Sequence, residues 1–384
     1  MTAPAEVLRQ LAASGLLRSL RTLDSPAGTE VVRNGLALVN FASNDYLGLA
    51  RHPEIEAAFI EGIHRYGAGA TASRLVCGSL PPHRALEEAL AAAKQTAAAL
   101  TFSSGFATAL GVIPAIVGKS DCILLDKLCH ACLVDAARLS GATLRVFPHN
   151  DLQKLGRLLG SVRAKSASTR ILVLTESVFS MDGDVCPLRE IVELSEAHDA
   201  LLLLDEAHAI GVLGEHGMGL AEALGLQQRI AFQMGTLSKA VGLSGGYLAA
   251  SREWIDLLIN RARSFVFSTA PPPALAHAAL TSLQLIGSHQ GQDRRAALRQ
   301  NIATFQQTSS LPTSHATPIL PLVLGSNEAA LNASTVLESQ GFLVPAIRFP
   351  TVPRGTARLR ISLSAAHPAT AIQRLSQAIA KMSL

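Results

Sequence analysis

The chain has 384 residues, of which 48% are hydrophobic, 16% charged and only 4% aromatic, and it carries a net charge of +4. That is more apolar mass than one core usually holds, so two domains around a cleft are expected. No block of five or six basic residues and no aromatic–basic interleaving marks a nucleic-acid groove, and no apolar run approaches the roughly twenty residues of a membrane span.

The first segment, MTAPAEVLRQLAASGLLRSLR, has apolar positions at helical spacing and lacks an apolar core followed by a cleavage site. It reads as a short amphipathic helix, and the expectation is a soluble, cytoplasmic protein. The five cysteines, Cys77, Cys122, Cys129, Cys132 and Cys186, fit reduced thiols rather than a disulfide framework.

VVRNGLALVN then reads as a hairpin with Asn34-Gly35 at the turn. From about residue 84 the pattern alternates in βα fashion. ALEEALAAAKQ is helical, AALTFSS is apolar and extended, and Gly105 opens another helix. DCILLDK, TLRVFPH, RILVLTES and ALLLLDEAH follow as short apolar runs separated mostly by helical patterns. This predicts an α/β fold, a mostly parallel sheet with helices on both faces. Pro271 to Pro273 end that pattern and start a long helix. PILPLVLG, FLVPAIRFPTVP and RLRISLS, with a helical stretch near Asn327, then describe a small α+β domain. The expected division is an N-terminal helix and hairpin over 1–45, a large domain over 46–280 and a small domain over 281–384.

The chemistry-bearing residues concentrate between 201 and 246. Four leucines ending in Asp205 read as a buried parallel strand delivering a carboxylate to a strand end, where open α/β sheets bind ligands. The bland alternative is an aspartate that caps the next helix. His208 follows three residues later. Lys239 lies in a loop with Thr236, Ser238, Gly242, Ser244, Gly245 and Gly246, small residues that let a ligand approach the backbone. A lone lysine is ordinarily solvated; burial and nearby positive groups would suit this one to imine formation. An acid to pair with a ring nitrogen and a lysine to form a Schiff base are what pyridoxal 5'-phosphate (PLP) requires of a protein.

Upstream, SSGFATAL puts Gly105 and Phe106 at a helix N-terminus, whose amides and dipole suit a phosphate. His130 in KLCHACLVDAA can stack on a planar ring or serve as a polar cap. ESVFSMDGD is a polar loop that can offer Ser180.

Three patterns point elsewhere and fail. Cys129-His130-Ala131-Cys132 has C-x-x-C spacing but no second ligand pair, so no metal is expected. Asp205-Glu206-Ala207-His208 spells a helicase box, and Gly118-Lys119-Ser120 imitates the end of a P-loop. Ile113, however, holds the position where that loop needs glycine, which disfavours an NTP-driven helicase. Gly67-Ala68-Gly69 lacks the third glycine of a dinucleotide fingerprint.

FASNDYLGLARHP, SSGFA, CHACLVDAARLSGA, ESVFSMDGD, DEAHAIGVLG, GTLSKA, FSTAPPP and TVPRGTARLRIS occur in this order across nearly the whole chain. Together they resemble the α-oxoamine synthase family. These are PLP enzymes of fold type I, which condense a small amino acid with an acyl thioester and release carbon dioxide. The resemblance implies a mostly parallel seven-stranded sheet and a homodimer with shared active sites. It implies Lys239 as the Schiff-base lysine, Asp205 on the pyridinium nitrogen, His208 on the ring hydroxyl and His130 over the ring. Gly105, Phe106 and Thr236 would bind phosphate, with Ser180 at the cofactor and Ser268 and Thr269 reaching the partner's phosphate. Arg360 would hold the amino-acid carboxylate beside Asn44. Thr351 and Arg18, with Arg21 as an alternative to the latter, match acyl-substrate positions, and Arg348 is a further candidate for a dicarboxylic chain end.

FASNDYLGL, ARLSGATLRVFPHND and TVPRGTARLR resemble most the branch that joins L-alanine to a pimeloyl thioester, carried on acyl carrier protein (ACP) or coenzyme A, in biotin synthesis. Cys77, where serine is more usual, is shared with the branch using glycine and acetyl-CoA. CHAC replaces Ser-His-Ala-Ser, and Asp205-Glu206 replaces the frequent Asp-Asp.

Overall fold

The computed structural model of the protein describes residues 3–309 and 316–382. In chain order the elements begin with α1 (Pro4–Ala13), β1 (Glu30–Arg33), β2 (Leu36–Asn40), α2 (Pro53–Tyr66), α3 (Pro81–Ala93), β3 (Ala98–Phe102) and α4 (Gly105–Ile116). Next come β4 (Cys122–Asp126), α5 (Ala131–Leu139), β5 (Thr143–Phe147), α6 (Leu152–Lys165), β6 (Ile171–Glu176), α7 (Leu188–Ala197), β7 (Leu201–Asp205) and α8 (Leu220–Ala223). They continue with β8 (Phe232–Thr236), β9 (Gly246–Ala250), α9 (Arg252–Arg261), α10 (Arg263–Val266), α11 (Pro273–Gly287) and α12 (His289–Thr308). The last are β10 (Ile319–Gly325), α13 (Asn327–Ser339), β11 (Phe342–Leu343), β12 (Ala346–Ile347), β13 (Ala357–Ser362) and α14 (Ala369–Ala380).

These elements divide into two units. The larger holds Leu49–Ser180 and Asp184–Arg295; the smaller holds the residues up to Gly48, Met181–Gly183 and those from Ala296 on. The larger unit is built on a seven-stranded sheet of order β3-β9-β8-β7-β6-β4-β5. β5, β4, β6, β7 and β8 are parallel, while β9 runs antiparallel to both β3 and β8.

Strands buried on both faces need apolar residues at every position. Leu125, Leu172, Leu174 and Leu203 point into a core with Val112 and Ile113 of α4, Leu133 of α5 and Leu258 of α9. Their neighbours Leu124, Val173, Leu202 and Leu204 point into a second core with Leu155 and Leu159 of α6 and Ile191 of α7. Each such leucine contributes about 1.5–3 kcal/mol by leaving water. α2 and α11 pack so closely that a Cβ on Gly62 would lie 2.7 Å from Ala274 Cα.

In the smaller unit, Asn34 (φ 52°) and Gly35 (φ 75°) turn the hairpin between β1 and β2 in the left-handed conformation expected of Asn-Gly. β2 also pairs in parallel with β11, which ties the N-terminal hairpin to the C-terminal residues. A second sheet has the order β10-β13-β12 and is antiparallel. Arg358 of β13 donates to Asp182 Oδ1 at 2.6 Å, and the Thr317 hydroxyl donates to Gly183 O at 2.6 Å, which holds Met181–Gly183 in this unit. Among the described residues no helix is long and apolar enough to cross a membrane.

Candidate active site

In the larger unit a cavity of about 210 Å³ opens at the carboxyl ends of β6, β7 and β8. It is lined by Gly105, Phe106, His130, Asp205, His208, Thr236 and Lys239, and also by Ser104, Cys132, Glu176 and Ser238. Each strand or helix start delivers its residue for a local reason. β7 ends at Asp205, which stays 4% exposed and accepts the Ala207 N–H at 2.9 Å. The tight turn after it brings His208 Nε2 to 2.7 Å from Lys239 Nζ. Burial pushes the Asp205 carboxyl up, and Lys239 pulls it back down.

Ser104 caps α4, its hydroxyl accepting the Ala107 N–H at 3.0 Å. Among the described residues, the N–H groups of Gly105 and Phe106 at the start of that helix donate to no other backbone group. A side chain at Gly246 would intrude on them, since its Cβ would lie 2.6 Å from Gly105 N. Beside them the Thr236 hydroxyl meets Ser238 Oγ at 2.7 Å and donates to Gly245 O at 2.8 Å. Two exposed-end amides, two hydroxyls and a kept-clear backbone make a phosphate cradle. A buried acid and a lysine lie in the same cavity. The residues present therefore fit a phosphorylated pyridine aldehyde.

His130 both lines the cavity and caps α5, with Nδ1 accepting the Cys132 N–H at 3.3 Å. Burial lowers its pKa, opposed by the charge of Asp205. Glu176 accepts the His130 backbone N–H. Immediately behind Asp205, Glu206 is wholly buried against the equally buried Lys94, whose ammonium also donates to Met218 O at 2.6 Å. Glu206 Oε1 accepts the Ala221 N–H at 3.0 Å, so the turn between Asp205 and His208 is anchored on both sides.

Ser180, Ser268 and Thr269 do not line this cavity. Ser180 is buried in the turn after β6, and Thr269 forms an isolated antiparallel bridge with Ser73. Glu176, Cys132 and Ser104 escaped the sequence reading. Glu176 ends an apolar run, RILVLTE, just as Asp205 ends LLLLD, the same signal of a carboxyl at a strand end.

The other expected residues lie in the smaller unit. Arg360 is buried; Nη1 donates to Asn44 Oδ1 at 3.0 Å and to Ser362 Oγ at 2.6 Å, and Nη2 to the Tyr46 hydroxyl at 3.3 Å. A separate cavity of about 580 Å³ is lined by Arg18, Arg21, Arg33, Arg348 and Thr351 together with Leu17, Leu331, Leu343 and Ile347. Arg18 donates to Thr351 Oγ1 at 3.1 Å, and Arg348 to Gly15 O. Arg33 is neutralised by Glu338. Burial and the positive charges of Arg18 and Arg21 hold Arg348 below its usual pKa, the mark of a site with surplus positive charge.

Comparison with known proteins finds relatives over nearly the whole chain. A family model described as "Aminotransferase class I and II" matches residues 37–379. The 8-amino-7-oxononanoate synthase of Geobacter sulfurreducens (strain ATCC 51573 / DSM 12127 / PCA) is 46% identical over 98% of this chain and 96% of its own. A serine palmitoyltransferase with a PLP internal aldimine superposes with a TM-score of 0.91 at 29% identity, covering 97% of this chain and 95% of that one. The 8-amino-7-oxononanoate synthase structure from Francisella tularensis matches with a TM-score of 0.77 at 28% identity, over 90% of this chain and 97% of that one.

Proposed function

The chain belongs to the class I and II aminotransferases and, within them, to the 8-amino-7-oxononanoate synthases, PLP-dependent acyltransferases of fold type I, and from that premise we propose that it joins L-alanine to a pimeloyl (6-carboxyhexanoyl) thioester. The products are 8-amino-7-oxononanoate, carbon dioxide and the free thiol carrier, ACP or coenzyme A. The observation that carries the proposal is the approach of Lys239 Nζ to His208 Nε2, 2.7 Å, in one cavity with the buried Asp205.

PLP, when bound, supplies an aldehyde for amine exchange and an electron sink for the amino acid's Cα. Gly105, Phe106 and Thr236 would hold its phosphate, and His208 would hold the ring hydroxyl; Ser180, which does not line the cavity, would support the loop beside it. Asp205 would keep a proton on the ring nitrogen, and burial would strengthen that bond by excluding water. His130, which lines the cavity, would cover the ring and meet the substrate. Lys239 would hold the aldehyde, and its Nζ would accept the Cα proton as general base. Arg360, oriented by Asn44, binds the alanine carboxylate, and Arg18, Thr351 and Arg348 take the acyl chain and its terminal carboxylate. Ser268 and Thr269 serve the site of a second copy in a homodimer.

The test is a panel of L-alanine and glycine against pimeloyl, acetyl and succinyl thioesters, with carbon dioxide release followed. Alanine with pimeloyl thioester should lead. The alanine methyl alone should contribute roughly 10–200-fold over glycine. Faster turnover of glycine with acetyl-CoA contradicts the proposal and moves the chain to a sister activity.

A further inference from the structure

The ring of His130 is held by its own helix. The Cys132 N–H donates to His130 Nδ1 at 3.3 Å, and Cys132 Sγ lies 3.0 Å from the same nitrogen. A backbone amide only donates, so Nδ1 is an acceptor here and carries no proton. The thiol is then the second donor, S–H to Nδ1. Burial holds the Cys132 thiol well above its ordinary pKa, and Asp205 and Glu176 push the same way, so the proton stays on sulfur. With Nδ1 committed, a neutral ring carries its hydrogen on Nε2. Glu176 fixes the backbone of the same residue by accepting the His130 N–H.

We infer that Cys132 is a positioning residue for the reaction: its amide and thiol together fix His130 as the Nε2–H tautomer, so that His130 meets substrate and cofactor as a hydrogen-bond donor. The inference rests on reading this cavity as the cofactor site and adds to it the direction of the His130 hydrogen bond. Asp205 and Asp135 favour a proton on the ring and Lys239 opposes one, while burial favours the neutral form. Glu176 and Cys132 contact the same residue, and His208 lines the same cavity. None of these groups selects between the two neutral tautomers as directly as the two donors on Nδ1.

The test is nitrogen NMR of the full chain with ¹⁵N-labelled histidine, loaded with PLP and without it. The chain has twelve histidines, and His130 is assigned by the signal lost in His130→Gln. The wild type should show the Nε2–H tautomer at His130. Cys132→Ser keeps a donor and should preserve it. Cys132→Ala keeps only the amide; it should give mixed tautomers and a ring pKa higher by about half to one unit, the effect of one lost hydrogen bond. It should also lower kcat several-fold, with recovery in Cys132→Ser. An Nδ1–H tautomer in the wild type overturns the inference whatever the variants do, as does an unchanged tautomer and titration in Cys132→Ala. If the wild type develops no absorbance band with PLP yet shows the Cys132-dependent tautomer, the cofactor reading fails and the role of Cys132 in setting the tautomer stands.

Discussion

Glu176 and Asp205 are registered neighbours at the carboxyl ends of the parallel strands β6 and β7, two carboxyl groups buried side by side. Water cannot solvate both charges there. Burial, reinforced by Asp205, pushes Glu176 up to about 8. Its neutral form is thus the one the fold favours. The linked stability is intact at acidic pH and is lost as pH rises through about 8. Glu176→Gln keeps an acceptor for the His130 N–H and cannot ionise. Thermal unfolding of the PLP-free chains, followed from the ordinary carboxylate range up to about pH 8, should show a smaller decline with rising pH in the variant; identical declines contradict the assignment.

His149 shows the opposite chemistry with the same sign of shift. Its Nδ1 lies 3.0 Å from Asp126 Oδ1 and its Nε2 2.6 Å from Asp184 Oδ2. Burial alone would lower its pKa, but the hydrogen bonds to Asp126 and Asp184 outweigh it and push it up to about 10. The imidazolium therefore stabilises the fold below the ordinary histidine range, and that contribution fades as pH rises through about 10. His149→Gln should be less stable than the wild type at pH 6 and nearly equal above the shifted value. A constant difference across the range, measured by urea unfolding, argues against a charged His149.

Lys94 and Glu206 form an ion pair with no solvent exposure on either side chain. Removing one partner strands a buried charge, so Lys94→Met should cost about 3–5 kcal/mol. The double variant Lys94→Met, Glu206→Leu removes both charges and should regain most of that loss. A double variant no more stable than Lys94→Met shows that the pair is not what holds this turn.

Arg18 and Arg348 supply positive charge to the cavity that Thr351 also lines. Replacing either with alanine should raise KM for pimeloyl thioester about tenfold or more, the effect of one lost charge-assisted hydrogen bond. The pimeloyl methyl ester thioester, which lacks the terminal carboxylate, should be a poor substrate for the wild type and respond little to either change. An equal KM rise for both substrates means that these arginines do not read the chain end.

Much of this was legible in the sequence because it follows short-range rules. Four leucines before Asp205 announced a doubly buried strand, Asn34-Gly35 announced a turn, and Gly105 sits where a helix start belongs. Other features depend on distant partners. β8, FQMGT, and β9, GYLAA, have neither alternation nor a β-branched run, and become strands by pairing within the sheet. β11 is two residues long and exists through its pairing with Val39 and Asn40. Glu176 carries the same end-of-run signal as Asp205, but its pairing with that carboxyl depends on the strand alongside.

The amine that Lys239 presents beside His208 is the group on which the proposed chemistry turns. The most direct measurement is borohydride reduction of the purified chain after incubation with PLP, followed by peptide mapping. One phosphopyridoxyl group per chain on Lys239, absent in Lys239→Ala together with turnover, is the predicted result. A label on another lysine, or a Lys239→Ala chain that still turns over, would contradict it.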